Sequence, residues 1–222
     1  HRSAFGGPLI GKPLMRNVCA DLAVESEAAT ALALRLAGAV DRGVRGDAGE
    51  RAFSRLAIAV GKFWVCKRQP AVVGEALECL GGNGYVEESP LPRLFRQSPL
   101  NSIWEGSGNV IALDVLRAIR TRAPLLDVLL HELEPARGVD PALDLAVSRL
   151  PELAREIGDS SARHFVESAA LAMQAAVLLA GAPEPVARSF VATRFRAPAH
   201  TFGASPADVD CDTLIERASP WL

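Results

Sequence analysis

A chain of 222 residues, 49% hydrophobic and 23% charged, suits one large or two small globular domains with a buried core. A formal net charge of -2 excludes an overall positive field for polyanions, although the 24 cations include only three lysines, Lys12, Lys62 and Lys67. Cys19, Cys66, Cys79 and Cys211 stand far apart without a CxxC pair, which argues against a zinc site or a disulfide framework and for a reducing cytoplasm.

The opening His1-Arg2-Ser3-Ala4-Phe5 lacks a signal-peptide core, and the Gly6-Gly7-Pro8 that follows is turn-like, as in the middle of a longer protein. No apolar run approaches the roughly 20 residues of a bilayer span, so no membrane partner is expected. From Leu14 to Val40, apolar residues such as Leu14, Val18, Leu22, Leu32 and Leu36 recur at helical steps and predict one long amphipathic helix. The polar, glycine-bearing segment 41–47 turns the chain into a second helix from Gly49 to Leu80, antiparallel to the first. Pro70 predicts a kink or break near Arg68-Gln69, since proline lacks an N–H and crowds the preceding turn.

Gly81-Gly82-Asn83-Gly84 ends that helix, and the chain to Pro99 reads as loop with a helical turn at Leu91 to Arg96. Ser107 is placed to cap a helix running through Val110, Leu113, Leu116 and Ile119. Beyond Thr121 the pattern is of shorter helices: Leu125 to Glu134, Pro141 to Ile157, Ser160 to Ala180, Pro185 to Arg196 and Asp210 to Ala218. No strand alternation appears, so the fold class is all-α.

Glu105 lies just before a helix whose first amides are unpaired, a geometry that can present a base beside an anion cradle. A carboxylate makes a useful base when an apolar wall desolvates it, and Ile103 and Trp104 are the neighbours placed to supply one. Gly81, Gly82 and Gly84 permit close backbone approach to a ligand, or serve only as a helix cap. His1, His131, His164 and His200 show no ligand spacing, and no Gly-x-Ser-x-Gly or Walker sequence occurs; metal, serine-hydrolase and P-loop chemistry are not indicated. Arg188, Arg194 and Arg196, with Phe190 and Phe195, form either a basic-aromatic face for nucleic acid or a solvated helix surface with its phenylalanines turned inward.

Three blocks then carry a resemblance: Leu77-Glu78-Cys79-Leu80-Gly81-Gly82-Asn83-Gly84-Tyr85, Leu91-Pro92-Arg93-Leu94-Phe95-Arg96, and Asn101-Ser102-Ile103-Trp104-Glu105-Gly106-Ser107-Gly108-Asn109. In order and spacing they resemble the acyl-CoA dehydrogenase family, most of all its AidB-type branch of the DNA alkylation response, and the similarity runs on through Arg163 to Ser168. The resemblance implies a C-terminal up-and-down four-helix bundle over residues 1–122 and an additional helical region over 123–222. In the family this part holds flavin adenine dinucleotide (FAD) together with other domains and a neighbouring subunit, so self-association as a dimer or tetramer is expected.

By the same resemblance Arg2 and Phe5 contact the FAD of a neighbouring subunit, and Glu78, Gly81 and Gly82 line its pyrophosphate and ribose. Ser107 and Asn109 touch the flavin near Glu105, which matches the base that removes the α-proton of an acyl-CoA thioester. Two functions follow: an FAD-dependent acyl-CoA dehydrogenase, or a flavoprotein associated with DNA. Residues 1–222 alone are expected to be inactive, to hold flavin weakly and to associate through apolar surface.

Overall fold

The computed structural model describes residues 2–121 and 124–219; His1 and the division between 122 and 123 lie outside the described residues. The turn-like opening is a small antiparallel hairpin of β1 (Ser3–Ala4) and β2 (Gly7–Pro8), with Ala4 opposite Gly7. Its two central residues, Phe5 and Gly6, have φ of 54° and 80°. Two successive positive values are what a two-residue primed turn requires.

The rest is helical, as the apolar periodicity predicts. Helices α1 (Pro13–Val44) and α2 (Ala48–Cys79) each run 32 residues. Asp47 caps α2 by accepting the Glu50 amide at 3.0 Å. Residues 41–44, expected as part of the turn, remain helical because Gly43 is buried against α2. A Cβ there would stand 3.2 Å from the Arg51 Cα, so glycine lets the two helices run this close together without displacement. Pro70 does not break α2. Its neighbours are fixed from outside: Arg68 pairs with Glu25 of α1 at 3.0 Å, and Gln69 accepts from Asn101 at 2.6 Å. Packing on both sides thus outweighs the missing N–H.

After Gly81 (φ 58°) and the single turn α3 (Gly82–Tyr85), the chain runs back along α2. Phe95 of α4 (Leu91–Gln97) packs at Gly74, and Asn101, in a tight turn over Ser98–Ser102, meets Gln69. Residues 104 and 106 reach Lys62, and Asp114 of α5 (Gly108–Thr121) pairs with Arg55 at 3.0 Å. Falling numbers on α2 meet rising numbers on the return, so α5 is antiparallel to α2.

Helix α8 (Ala162–Gly181) packs against α1, α2 and α5. Trp64 of α2 donates its indole N–H to the buried Gln174 of α8 at 2.8 Å. By length and composition α8 could cross a bilayer, contrary to the expectation that no run was apolar enough. Here it is a core helix, with Phe165, Val166, Ala170 and Met173 fully enclosed. Helices α7 (Pro141–Glu156) and α9 (Glu184–Val191) pack on it, α6 (Pro124–Glu132) packs on α2 and α5, and Leu129, Leu143 and Phe190 join the core that holds Leu32, Leu56 and Val115.

Helix α9 ends in a wider π turn over Ala192–Arg196. This brings Arg194 between α1 and α2, where it bonds Asp21 at 2.7 Å and Glu25 at 2.8 Å. The following loop straps across α1. Gly203 donates its amide to Asp21 at 3.0 Å and packs so tightly on Val18 that a Cβ would stand 2.5 Å from its methyl. The last helix, α10 (Cys211–Ala218), is tied to α1 by the Arg217–Glu27 and Arg16–Asp212 ion pairs.

Candidate functional site

The Glu105 segment is shaped by its backbone. Ser107 occupies the cap position of α5, its carbonyl accepting the Ile111 amide at 2.9 Å. Just before it, Glu105 and Gly106 have φ of 55° and 103°. Glycine enters that region freely, whereas a glutamate there costs about 1–2 kcal/mol and must be held by its surroundings. The hold comes from α2: the Lys62 ammonium bonds the Trp104 carbonyl at 2.9 Å and the Gly106 carbonyl at 2.7 Å. Gly108, under the ends of Lys67 and Arg163, seats the first turn of α5.

Glu105, Ser107 and Asn109 are therefore grouped, and all three side chains are exposed. The wall expected from Ile103 and Trp104 does not close over the carboxylate, since those residues are 60% and 55% exposed. Both apolar side chains are presented outward beside Glu105, because their peptides follow the loop along α2 rather than folding over it. Lys62 was missed in the sequence. Its only signal there was scarcity, as one of three lysines among 24 cations.

A second group forms at the far end of α2. The Arg2 guanidinium lies over Gly81, where a Cβ would sit 2.7 Å from it, and Arg2 Nη1 donates to the Cys79 carbonyl at 3.4 Å. Nothing stands within 4 Å of the Cβ position at Gly82, and Glu78 is exposed one turn earlier. Phe5, 89% exposed, stands at the hairpin tip, its carbonyl bonded by Lys12 at 3.0 Å. An exposed cation beside bare backbone makes an open cradle suited to a diphosphate, so these residues fit the anionic part of FAD.

The two groups do not meet within one chain. Lys62 marks one and Cys79 the other, about 25 Å apart at the rise of an α-helix.

The arginines of α9 and its π turn are not a free basic face. Arg188 pairs with Glu184 at 2.8 Å, Arg194 is buried with Asp21 and Glu25, and Arg196 bonds Asp208 at 2.9 Å. Phe190 is fully buried against the core, and Phe195 packs beside it. The spacing of these residues suited phosphate contacts, but carboxylates pair with all three arginines, from one turn away for Arg188 and from the other end of the chain for Arg194.

The cysteines, far apart in sequence, are not all far apart in space. A hydrogen bond from Cys79 on α2 lowers the Cys19 thiol of α1 to about 7, against the opposing effect of burial and with help from Arg16. The same contact, with burial, pushes Cys79 well above the ordinary thiol range.

Comparisons with known proteins bear on the family and the fold. The model of the acyl-CoA dehydrogenase C-terminal domain matches residues 1–120. The protein AidB of Escherichia coli (strain K12) is 44% identical over 189 residues, which cover 85% of this chain and 35% of that protein. Acyl-CoA dehydrogenase family member 11 of Caenorhabditis elegans is 35% identical over 128 residues, covering 56% of this chain and 21% of the relative. Among solved structures, C. elegans ACDH-11 in complex with C11-CoA superposes with a TM-score of 0.76 at 26% identity, over 85% of this chain and 37% of that one. The chain thus spans about a third of the length of the E. coli relative. With its three motif blocks on the bundle and a family match over residues 1–120, this chain belongs to the acyl-CoA dehydrogenase family.

Proposed function

We propose that the full-length protein is a flavin-dependent acyl-CoA dehydrogenase in which Glu105 removes the α-proton of the thioester substrate. The observation that carries this reading is the placement of Glu105: an exposed carboxylate in a left-handed conformation at the head of α5, clamped by Lys62 and flanked by two outward apolar side chains.

The thioester carbonyl acidifies the α C–H, so a single carboxylate can take that proton. FAD, when bound, accepts the β-hydrogen with its electron pair, leaving an α,β-unsaturated thioester. Arg2, Phe5, Gly81 and Gly82, with Glu78 at the ribose, are the residues that hold the dinucleotide of a neighbouring subunit, which requires a dimer or tetramer. Ser107 and Asn109, on the same side of the loop as Glu105, are assigned to the flavin near the base. Ile103 and Trp104 are assigned to the apolar cover that excludes water once the remaining domains close over the loop.

Anaerobic titration of the full-length flavoprotein with a panel of acyl-CoAs tests this. Bleaching of the visible flavin bands by at least one member is expected, slowed about 10²–10⁴-fold in Glu105→Gln. An unbleached flavin across the panel, or an undiminished rate in the variant, would remove the dehydrogenase reading.

A further inference from the structure

Lys62 holds the candidate base without touching it. Its ammonium bonds the carbonyls of Trp104 and Gly106, the residues on either side of Glu105 in the chain. Glu105 itself is in the left-handed region, where an L residue persists only if its surroundings dictate the backbone. Two charge-assisted bonds from one nitrogen supply that constraint.

The lysine is itself well placed to hold still. It is half-buried, and its stem lines an apolar groove between α1 and α2 with Leu36, Ile58 and Val65. The adjacent Gly61 has no side chain, so Leu36 of α1 presses against α2, with its methyl 2.6 Å from where a Cβ would be. The rigid contact of the two longest helices is thereby transmitted to the one loop that carries Glu105.

We infer that Lys62 is the positioning residue of this site: it fixes the peptide planes around Glu105 and so aims the carboxylate at the thioester. The inference rests on the reading of Glu105 as the base. The Lys62 ammonium bonds backbone carbonyls on both sides of Glu105; without it, Glu105 can relax to negative φ, which swings its side chain away from its present direction. Misplacement by about 1 Å is enough to slow a reaction on the order of 100-fold.

The test uses the full-length flavoprotein in three forms: wild type, Lys62→Met and Lys62→Arg. Lys62→Met keeps the stem but removes the donors, and is expected to lower kcat about 10- to 100-fold, with KM and flavin content unchanged. Lys62→Arg, which can still donate to both carbonyls, recovers most of that loss. Amide hydrogen exchange over residues 104–109 should accelerate in Lys62→Met and return toward wild type in Lys62→Arg, a readout that needs no turnover. Unchanged kcat or unchanged exchange in Lys62→Met overturns the inference, as does a loss of activity that merely follows lost flavin. If the wild type fails to turn over any acyl-CoA while the exchange effect appears, the base reading fails and the clamp alone survives.

Discussion

Where α1, α2 and the π turn after α9 meet, Asp21 and Glu25 are only 5% and 3% exposed, and each is answered by Arg194, with Arg68 also on Glu25. At the head of α5, by contrast, Glu105, Ser107 and Asn109 stand open to solvent with Ile103 and Trp104 beside them. Both regions gather polar groups from distant parts of the chain. The first satisfies its charges internally and serves the fold, whereas the second fixes only its backbone and leaves its functional side chains free to meet something else.

Removing one partner of the buried group should separate the two regions most sharply. Arg194→Met leaves two carboxylates in the interior with Arg68 as their remaining cation, and should destabilise the chain by about 3–5 kcal/mol in urea unfolding. Glu105→Gln should shift the same curve by about 0.5 kcal/mol or less, as befits an exposed site. Equal shifts would erase the distinction.

Acid should act on the buried region selectively. Burial raises the Glu25 carboxyl, but bonds and charges from Arg68 and Arg194 outweigh it and hold the group below the usual carboxylate range. A folded-state pKa below the unfolded one makes this contribution fully present above the unfolded value of about 4.3, and lost as pH falls through the folded value. The melting temperature of the wild type should therefore drop more steeply below about pH 4.5 than that of Glu25→Gln. Parallel acid limbs would show that Glu25 is not the group being titrated.

The smallest effect concerns the α1–α2 pair of thiols, Cys19 and Cys79, at the C-terminal end of α2. With Cys19 lowered to about 7, alkylation at neutral pH should strike it roughly tenfold faster than Cys66 or Cys211, read by peptide mass mapping. Cys79→Ala removes the hydrogen bond and should bring Cys19 back to the pace of the others.

Most helices were legible because amphipathic periodicity and capping residues are local signals. Asp47, Gly81 and Ser107 each mark a boundary within a residue or two. The extension of α1 through 41–44 was not legible, since Gly43 looks like a helix breaker until its contact with Arg51 is known. The same holds for Pro70, whose local penalty is offset by partners on α1 and on the return segment. The primed hairpin at Phe5-Gly6 gave only its turn to the reading, because a two-residue ladder is too short for a visible alternation.

Of the candidate site, most residue identities came from three motif blocks, and the structure groups them into two sets, one beside the middle of α2 and one at its C-terminal end. The motif residues cannot reveal that division, nor can they reveal Lys62, which belongs to no block. By itself the sequence determined the helices, their caps and the chemistry of the side chains, since these depend on neighbours a few positions apart. Only the tertiary structure decided that α8 is a core helix rather than a membrane span, that Arg194 and Arg196 are held by carboxylates, and that one lysine holds Glu105. Each of those facts depends on groups at least 12 residues apart in the chain, beyond the reach of local pattern, and only the tertiary packing brings them within bonding distance.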